Sequence, residues 1–433
     1  MRIQIMKLQK LAVLLALVLC NGAVMAKPET DSEAGINAYI EGLQNAKAVI
    51  DKAILDDPLI DDGDSVARAE GYRWAIRMLA NRVDRDLGNE NNAAYPYVRR
   101  CPTLTCKLGW DNPDNTYVTA GPLNPEFSYR VFGKRNTAHL MLLQILNKGG
   151  LGGGDLASGR ELDVDSDGNW EIILSARQPV GAKNWLKIDE QSERILIRNT
   201  FNDWAETEPS ILIEVLAGPN VDPPVLTPQI MSRVGNVTGE TIPGVMSAFI
   251  KIFRALALHD FPTPCTGVLT GCSTNNTEIG GFEDILYTAA RYHIPEGKAL
   301  IIEVPAADAA YRDIQLGNVW TESQDYINRH TSLNSHQDHL DDDGICRYVL
   351  SHEDPGYRNW LDVSEHVYGS IMMRWVFADL NHPPKAPQAT LVDVEDIGEH
   401  MPDSHPRMTK EQRGELMRER RLAVLKRINP AGL

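Results

Sequence analysis

Residues 167–186, DGNWEIILSARQPVGAKNWL, return in outline at 343–361 as DGICRYVLSHEDPGYRNWL. Asp167-Gly168 and Asp343-Gly344 stand 176 positions apart, as do Leu174-Ser175 and Leu350-Ser351. The same spacing links Arg198, Phe201 and Asp203 to Arg374, Phe377 and Asp379. Between them, Asn184-Trp185-Leu186 matches Asn359-Trp360-Leu361 with one residue fewer, a slip of the kind that loops absorb. Phase agrees as well. Trp170, Ile172 and Leu174 alternate as Cys346, Tyr348 and Leu350 do, and Ile195, Ile197 and Phe201 as Ile371, Met373, Trp375 and Phe377 do. Alternate side chains of a strand share a face, so Arg198 and Arg374 project to the opposite one. A chance match has no reason to keep both spacing and phase. The chain therefore carries two copies of one β module. Short strands with turn signals between them favour an antiparallel sandwich or jelly roll over a parallel sheet.

Helical spacing frames the copies. Ile36, Tyr39, Ile40, Leu43, Ala46, Val49 and Ile50 predict a helix over 32–55, and a second follows over 64–87 behind a cap at Asp64. The two form an antiparallel pair joined by an Asp-rich turn. From Tyr117 to Leu216 the texture is β, GPNVDPPVLTPQ marks a connector, and 227–259 and 281–293 read as helical. A second β section runs from Ala299 to Val394, broken by NHPPKAP. The stretch KEQRGELMRERRLAVLKRI then closes the chain as a basic helix whose charges form a solvated face. The expected fold class is α+β: two duplicated antiparallel β-sandwich or jelly-roll-like modules with helical N-terminal, middle and C-terminal segments. The expected divisions are a leader at 1–26, a helical segment at 27–100, a first module at 101–220, a helical insert with a disulfide loop at 221–296, a second module at 297–400, and a C-terminal helix at 401–433.

Arg2, Lys7 and Lys10, the run LAVLLALVL and the small residues of VMA follow the plan of a secretory signal peptide cleaved after Ala26. A lipoprotein reading through Cys20 is weakened by Leu19, where such sites want a small residue. The expected location is the periplasm or the medium. No later run approaches the roughly 18 apolar residues that span a bilayer. The whole chain has 43 Lys+Arg against 59 Asp+Glu, and removing three basic residues with the leader takes the net charge from −16 to −19. That balance argues against a nucleic-acid partner and weighs against polyanions generally. In an oxidising compartment, the close pairs Cys101–Cys106 and Cys265–Cys272 read as two local disulfides, the competing reading being a zinc site that would need four convergent thiolates at tighter spacing, and Cys346, inside a strand, reads as a buried thiol.

The stretches LGWDNPDNTYVTA, SYRVFGKRNTAHL, NWLKIDEQSERILIRNTFNDWAETEP, VWTESQDYINRHTSLN and DPGYRNWLDVSEHVYGSIMMRW resemble the bacterial domain-of-unknown-function family 1214. The resemblance implies paired β-sandwiches. Some related proteins that carry this domain beside a companion β domain resemble polysaccharide-processing enzymes, an analogy of fold and not of site.

Reactive groups gained by only one copy are candidates for function. After NWL the second copy reads DVSEHVYGSIMMR, where Asp362, Glu365, His366 and Tyr368 precede Arg374; the first copy has Gln191 and no histidine there. His366 as proton carrier, with Tyr326, Arg329 and Arg374, suits proton abstraction beside a carboxylate, the chemistry of a lyase eliminating across a uronic acid. In the structural alternative, His366 caps a loop and Arg374 pairs with Asp362 or Asp379. The second functional class is a non-catalytic envelope protein binding a glycan or a hydrophobic small molecule. DVDSDG places Asp163, Asp165 and Asp167 as in a calcium loop, but an EF-hand would need Glu where Leu174 stands; a divalent metal such as calcium bound in another way, or a β-turn built on Asp-Gly, are the readings left. His336 and His339, beside Asp338 and Asp341, are either transition-metal ligands or members of a solvated loop. DNPDN is turn chemistry, and Trp110 and Tyr117 next to it would either stack on sugars or be buried.

Overall fold

The computed structural model describes residues 31–57, 60, 64–87, 92–101, 107–148, 154–158, 162–265, 281–282 and 284–428. The leader at 1–26 lies outside them, as do Cys106 and Cys272, one partner of each expected disulfide. Helices α1 (Asp31–Asp56) and α2 (Ser65–Leu87) match the predicted pair, and the Asp64 carboxylate accepts from the amides of Val66 and Ala67 as the α2 cap. Helix α3 (Pro228–Ala255) starts behind Thr227, whose hydroxyl accepts from the Ile230 amide. It runs alongside α1 in the same direction, with Asp31 near Gln229 and Ala53 near Arg254. A Cβ on Gly42 would fall 2.4 Å from Gly239, so the closeness of the two backbones requires glycine.

The first module contains β1 (Tyr97–Cys101), β2 (Asn115–Gly121), β3 (Ser128–Lys134), β4 (Leu140–Asn147), β5 (Leu156–Ser158), β6 (Asn169–Ser175), β7 (Trp185–Lys187), β8 (Ser192–Thr200) and β9 (Leu212–Ala217). The second contains β10 (Ile285–His293), β11 (Lys298–Pro305), β12 (Tyr311–Gly317), β13 (Ser332–Asn334), β14 (Ile345–Ser351), β15 (Trp360–Asp362), β16 (Tyr368–Val376) and β17 (Gln388–Asp393). Each module has an inner sheet, ordered β1-β2-β8-β4-β5 in the first and β10-β16-β12-β13 in the second. Each has an outer sheet, ordered β7-β6-β3-β9 and β15-β14-β11-β17. Apart from the added β1, the two orders superpose strand for strand, down to one parallel pair in each outer sheet. The duplication is therefore one of topology as well as of sequence. Most inward residues meet as phase predicts: Trp170, Ile172 and Leu174 lie in one core with Ile195 and Ile197, and Cys346, Tyr348 and Leu350 in the other with Ile371, Met373 and Trp375, whereas Phe201 and Phe377, one residue past the ends of their strands, lie outside these cores.

Two expectations change. Residues 285–293 form strand β10, not a helix, so the second module begins before 297. Leu286, Ala290 and Tyr292 face the sandwich core while Ala289 faces the helices, so the strand is covered on both sides and its alternation is blurred. The C-terminal helix α4 (Lys410–Ile428) is not a solvated basic face. Arg413, Arg420 and Arg427 are buried, and lie over the rings of Trp360, of Trp204, and of Phe201 and Trp204 respectively.

The modules meet by their inner sheets. Leu140 and Leu142 of β4 pack against Ile285, Tyr311 and Val376 of the second module. Arg198 and Arg374 point into this junction, where Arg198 bonds Gln144 and Arg374 bonds Gln315, Asp313 and the carbonyl of Trp110. The helices pack beside the second inner sheet, with Trp74 of α2 against Trp320. Among the described residues no helix is long and apolar enough to cross a membrane.

Candidate functional site

The four residues singled out for lyase chemistry are engaged with different partners. His366 Nε2 lies 3.0 Å from Glu70 Oε2 of α2. Burial opposes its protonation, but the hydrogen bond and charge of Glu70 hold its pKa above the usual histidine value. Tyr326 is buried edge-on against Trp204, with the Lys107 ammonium 4.7 Å from its ring centre. Arg329 faces Asp362 and Glu365 at 3.6 and 3.8 Å. Arg374 is buried between the modules, 2.8 Å from Asp313. Its partner is thus neither Asp362 nor Asp379; the latter binds His382. Arg329 is exposed and His366 half-buried, but Tyr326 and Arg374 are closed off from solvent.

The Asp string is a turn. Asp165 Oδ1 accepts from the amides of Asp167 and Asn169, and Gly168 takes φ +80°. Asp163 pairs with Lys183 at 2.6 Å. In the second copy Gly344 repeats the turn at φ +79°, while His339 lies 3.7 Å from Asp341 and His336 3.9 Å from Asp203. Among the described residues no three His, Cys, Asp or Glu side chains gather as metal ligands. Trp110 is buried, donating to Ser370 Oγ, and Asn112 Oδ1 accepts from the Asp114 amide as turn chemistry requires. The buried Cys346 thiol lies 3.1 Å from the His339 carbonyl, and burial pushes its pKa up.

The open site lies elsewhere. On the solvent face of the first outer sheet, a groove of about 650 Å³ is lined by Arg130, Phe132, Asp163, Asn169, Glu171 and Lys183, among others. Alternation along β3 puts Arg130, Phe132 and Lys134 on this face and Tyr129 and Val131 in the core. The Arg130 guanidinium carbon sits 4.3 Å from the Phe132 ring centre and its nitrogens reach Glu171 and Glu214 at 2.6 and 3.1 Å. Gly133 lets β3 approach β9: a Cβ there would fall 1.9 Å from the Ser210 carbonyl oxygen.

Register makes the twin of this face identifiable. Arg130 pairs with Ile173 and Phe132 with Glu171; in the second module Ile301 pairs with Val349 and Glu303 with Arg347. There the face is closed by the chain itself. Ile397 and Met401, from the segment after β17, pack on Ile301, Val349, Val392 and Tyr357. His405 inserts its ring, 2.8 Å from Asp341, the counterpart of Asp165. The copies differ most in what covers this face. Sequence reasoning passed over Arg130 and Phe132 although they stand in SYRVFGK; the signal was a charged and an aromatic residue on the outward phase of a strand whose twin carries Ile301 and Glu303 there.

Residues 141–200 match a family model, the one described as Protein of unknown function (DUF1214). The resemblance holds for that segment. It runs from β4 to β8, so it includes one wall of the groove and the turn beneath it. A crystal structure of an uncharacterized protein from Burkholderia cenocepacia is similar at 25% identity, with a TM-score of 0.73 over 84% of this chain and 97% of that one. The VPA0106 protein from Vibrio parahaemolyticus is 12% identical over 84% of this chain and 100% of that one, with a TM-score of 0.45. Comparison with curated proteins finds no match.

Proposed function

We propose that the chain is an exported protein that binds a saccharide, without turning it over, in the open groove of the first module. The observation that carries this reading is the groove itself: one copy of the duplicated face is filled by the chain's own segment, and among the described residues nothing covers the other. Its volume of about 650 Å³ falls within the range of small-ligand sites. A flat aromatic surface flanked by fixed amides and charged groups suits a sugar ring, which offers one apolar face and a rim of hydroxyls. Export rests on the leader-like N-terminus. A non-catalytic role is favoured over elimination because His366 is tied to Glu70, while Tyr326 and Arg374 are closed off by packing.

Titration calorimetry with neutral and acidic oligosaccharides tests the reading. Phe132→Ala should weaken binding at least about tenfold, a loss typical of an aromatic anchor, with the thermal midpoint nearly unchanged. His366→Ala and Tyr326→Phe should keep binding, and no unsaturated product should form. Absence of binding by every saccharide, or equal binding by Phe132→Ala, would reject the proposal.

A further inference from the structure

The charges that line the groove are already matched to one another. Arg130 is held between Glu171 and Glu214, and Lys183 is held by Asp163. Asp165 is occupied on both oxygens, Oδ1 by two amides and Oδ2 by the Asn169 amide group. Lys134, exposed at the rim, has Asp165 as a nearby charge. Counting Glu214, the groove sets three cations against four carboxylates. The pairs reinforce themselves: the hydrogen bonds that Arg130 donates to Glu214 and Glu171 hold its pKa above the usual value, and Asp163 does the same for Lys183.

An acidic sugar entering here would have to displace a carboxylate from its cation or lie beside Glu171 and Asp163. Like charges placed together across an interface disfavour the wrong partner strongly. A neutral sugar meets no such obstacle. Its hydroxyls can accept from guanidinium and ammonium N–H groups left over after pairing, and donate to the second lone pairs of the carboxylates. The acidic balance of the whole chain acts in the same direction.

Resting on the saccharide reading of the groove, we infer that the ligand is an uncharged saccharide and that Glu171 and Glu214, by occupying Arg130, are the residues that exclude uronates. Titration of the mature protein with a neutral oligosaccharide and a uronate oligomer of equal length should give binding of the first at least about tenfold tighter, the scale of a like-charge penalty. The double variant Glu171→Gln/Glu214→Gln frees Arg130. Its uronate affinity should rise by about fivefold or more relative to its neutral-sugar affinity, with the gain lost in high salt. Wild-type protein that binds the uronate as tightly as the neutral sugar, with both lost in Phe132→Ala, would overturn the inference and leave the groove standing. An unchanged ratio in the double variant would overturn the assignment of Glu171 and Glu214. Binding of neither sugar would remove inference and foundation together. A thermal midpoint within a few degrees of wild type shows that the variant is folded, because both glutamates are at the surface.

Discussion

Asn359 donates from Nδ2 to the carbonyls of His339 and Arg347 and accepts at Oδ1 from the His339 amide. Asn184 makes the same three bonds to Asp163 and Glu171 in the first module. The indoles beside them donate to Ser175 and Ser351. A carboxylate could not donate and an aliphatic could not do either, so each copy needs this amide. Shared internal bonding is why the repeat could be read from sequence alone. Residues that answer to a neighbour outside their own module were not readable in that way. His366 lacks a counterpart in the first copy, and in the structure its partner is Glu70, on a helix that packs beside the second inner sheet. That pair fixes a pH dependence. With His366 held above 6.5 and Glu70 held below 4.5, the contact is fully present between those values. It fades as pH rises through the His366 pKa, or falls through that of Glu70. The stability of His366→Gln should therefore trail wild type most between pH 4.5 and 6.5, by of order 1 kcal/mol, and the gap should narrow as pH rises beyond that range. A gap that instead widens with pH would show that Glu70 is not the partner in solution.

Helix α4 crosses from the second module to the first on a stripe of arginines. Arg413, Arg420 and Arg427 are seven apart, which places them near one line on a helix. Arg413 binds Asp354 and the Tyr357 carbonyl beside Trp360, whereas Arg420 and Arg427 lie over Trp204 and Phe201 of the first module. Arg420 also donates to the carbonyl and hydroxyl of Ser332, and burial lowers its pKa to about 10. A stripe of arginine is read from sequence as solvated because apolar count is the usual sign of a buried face. Here aromatic rings and carbonyls on two modules receive the guanidinium groups, and nothing local to the helix announces them. Strand β10 was hidden for a related reason: both of its faces are covered, and Ala289 interrupts the phase that Tyr287, Arg291 and His293 share. Arg420→Ala should destabilise by roughly 2–4 kcal/mol through lost buried hydrogen bonds and ring contact. Its exposed neighbour provides the control, since Arg421→Ala should stay within about 0.5 kcal/mol of wild type. Equal effects in chemical denaturation would mean that the stripe does not hold the helix.

Across the whole molecule, duplication supplied two similar sandwiches and divergence decided how they join and what they leave open. The inner sheets became a junction and are buried on both faces; the outer sheets took opposite courses, one covered by the segment after β17 and one exposed as the groove. The junction is where an ion pair carries the most risk. Arg374 is buried with Asp313, Gln315 and the carbonyl of Trp110, so it ties β16 to β12 and also to the loop that enters from the first module. Removing one member of a buried pair leaves the other without compensation, whereas removing both can be nearly neutral. Arg374→Met should therefore cost about 3–5 kcal/mol, and the added change Asp313→Leu should restore a large part of it. The loss should appear first at the junction, because Trp110 would lose a tether that the sandwich cores do not share. Hydrogen exchange of the 107–115 amides should quicken in Arg374→Met while those of β6 and β14, inside their own modules, remain protected. If the core strands of both modules instead open together, the sandwiches do not hold independently of their junction.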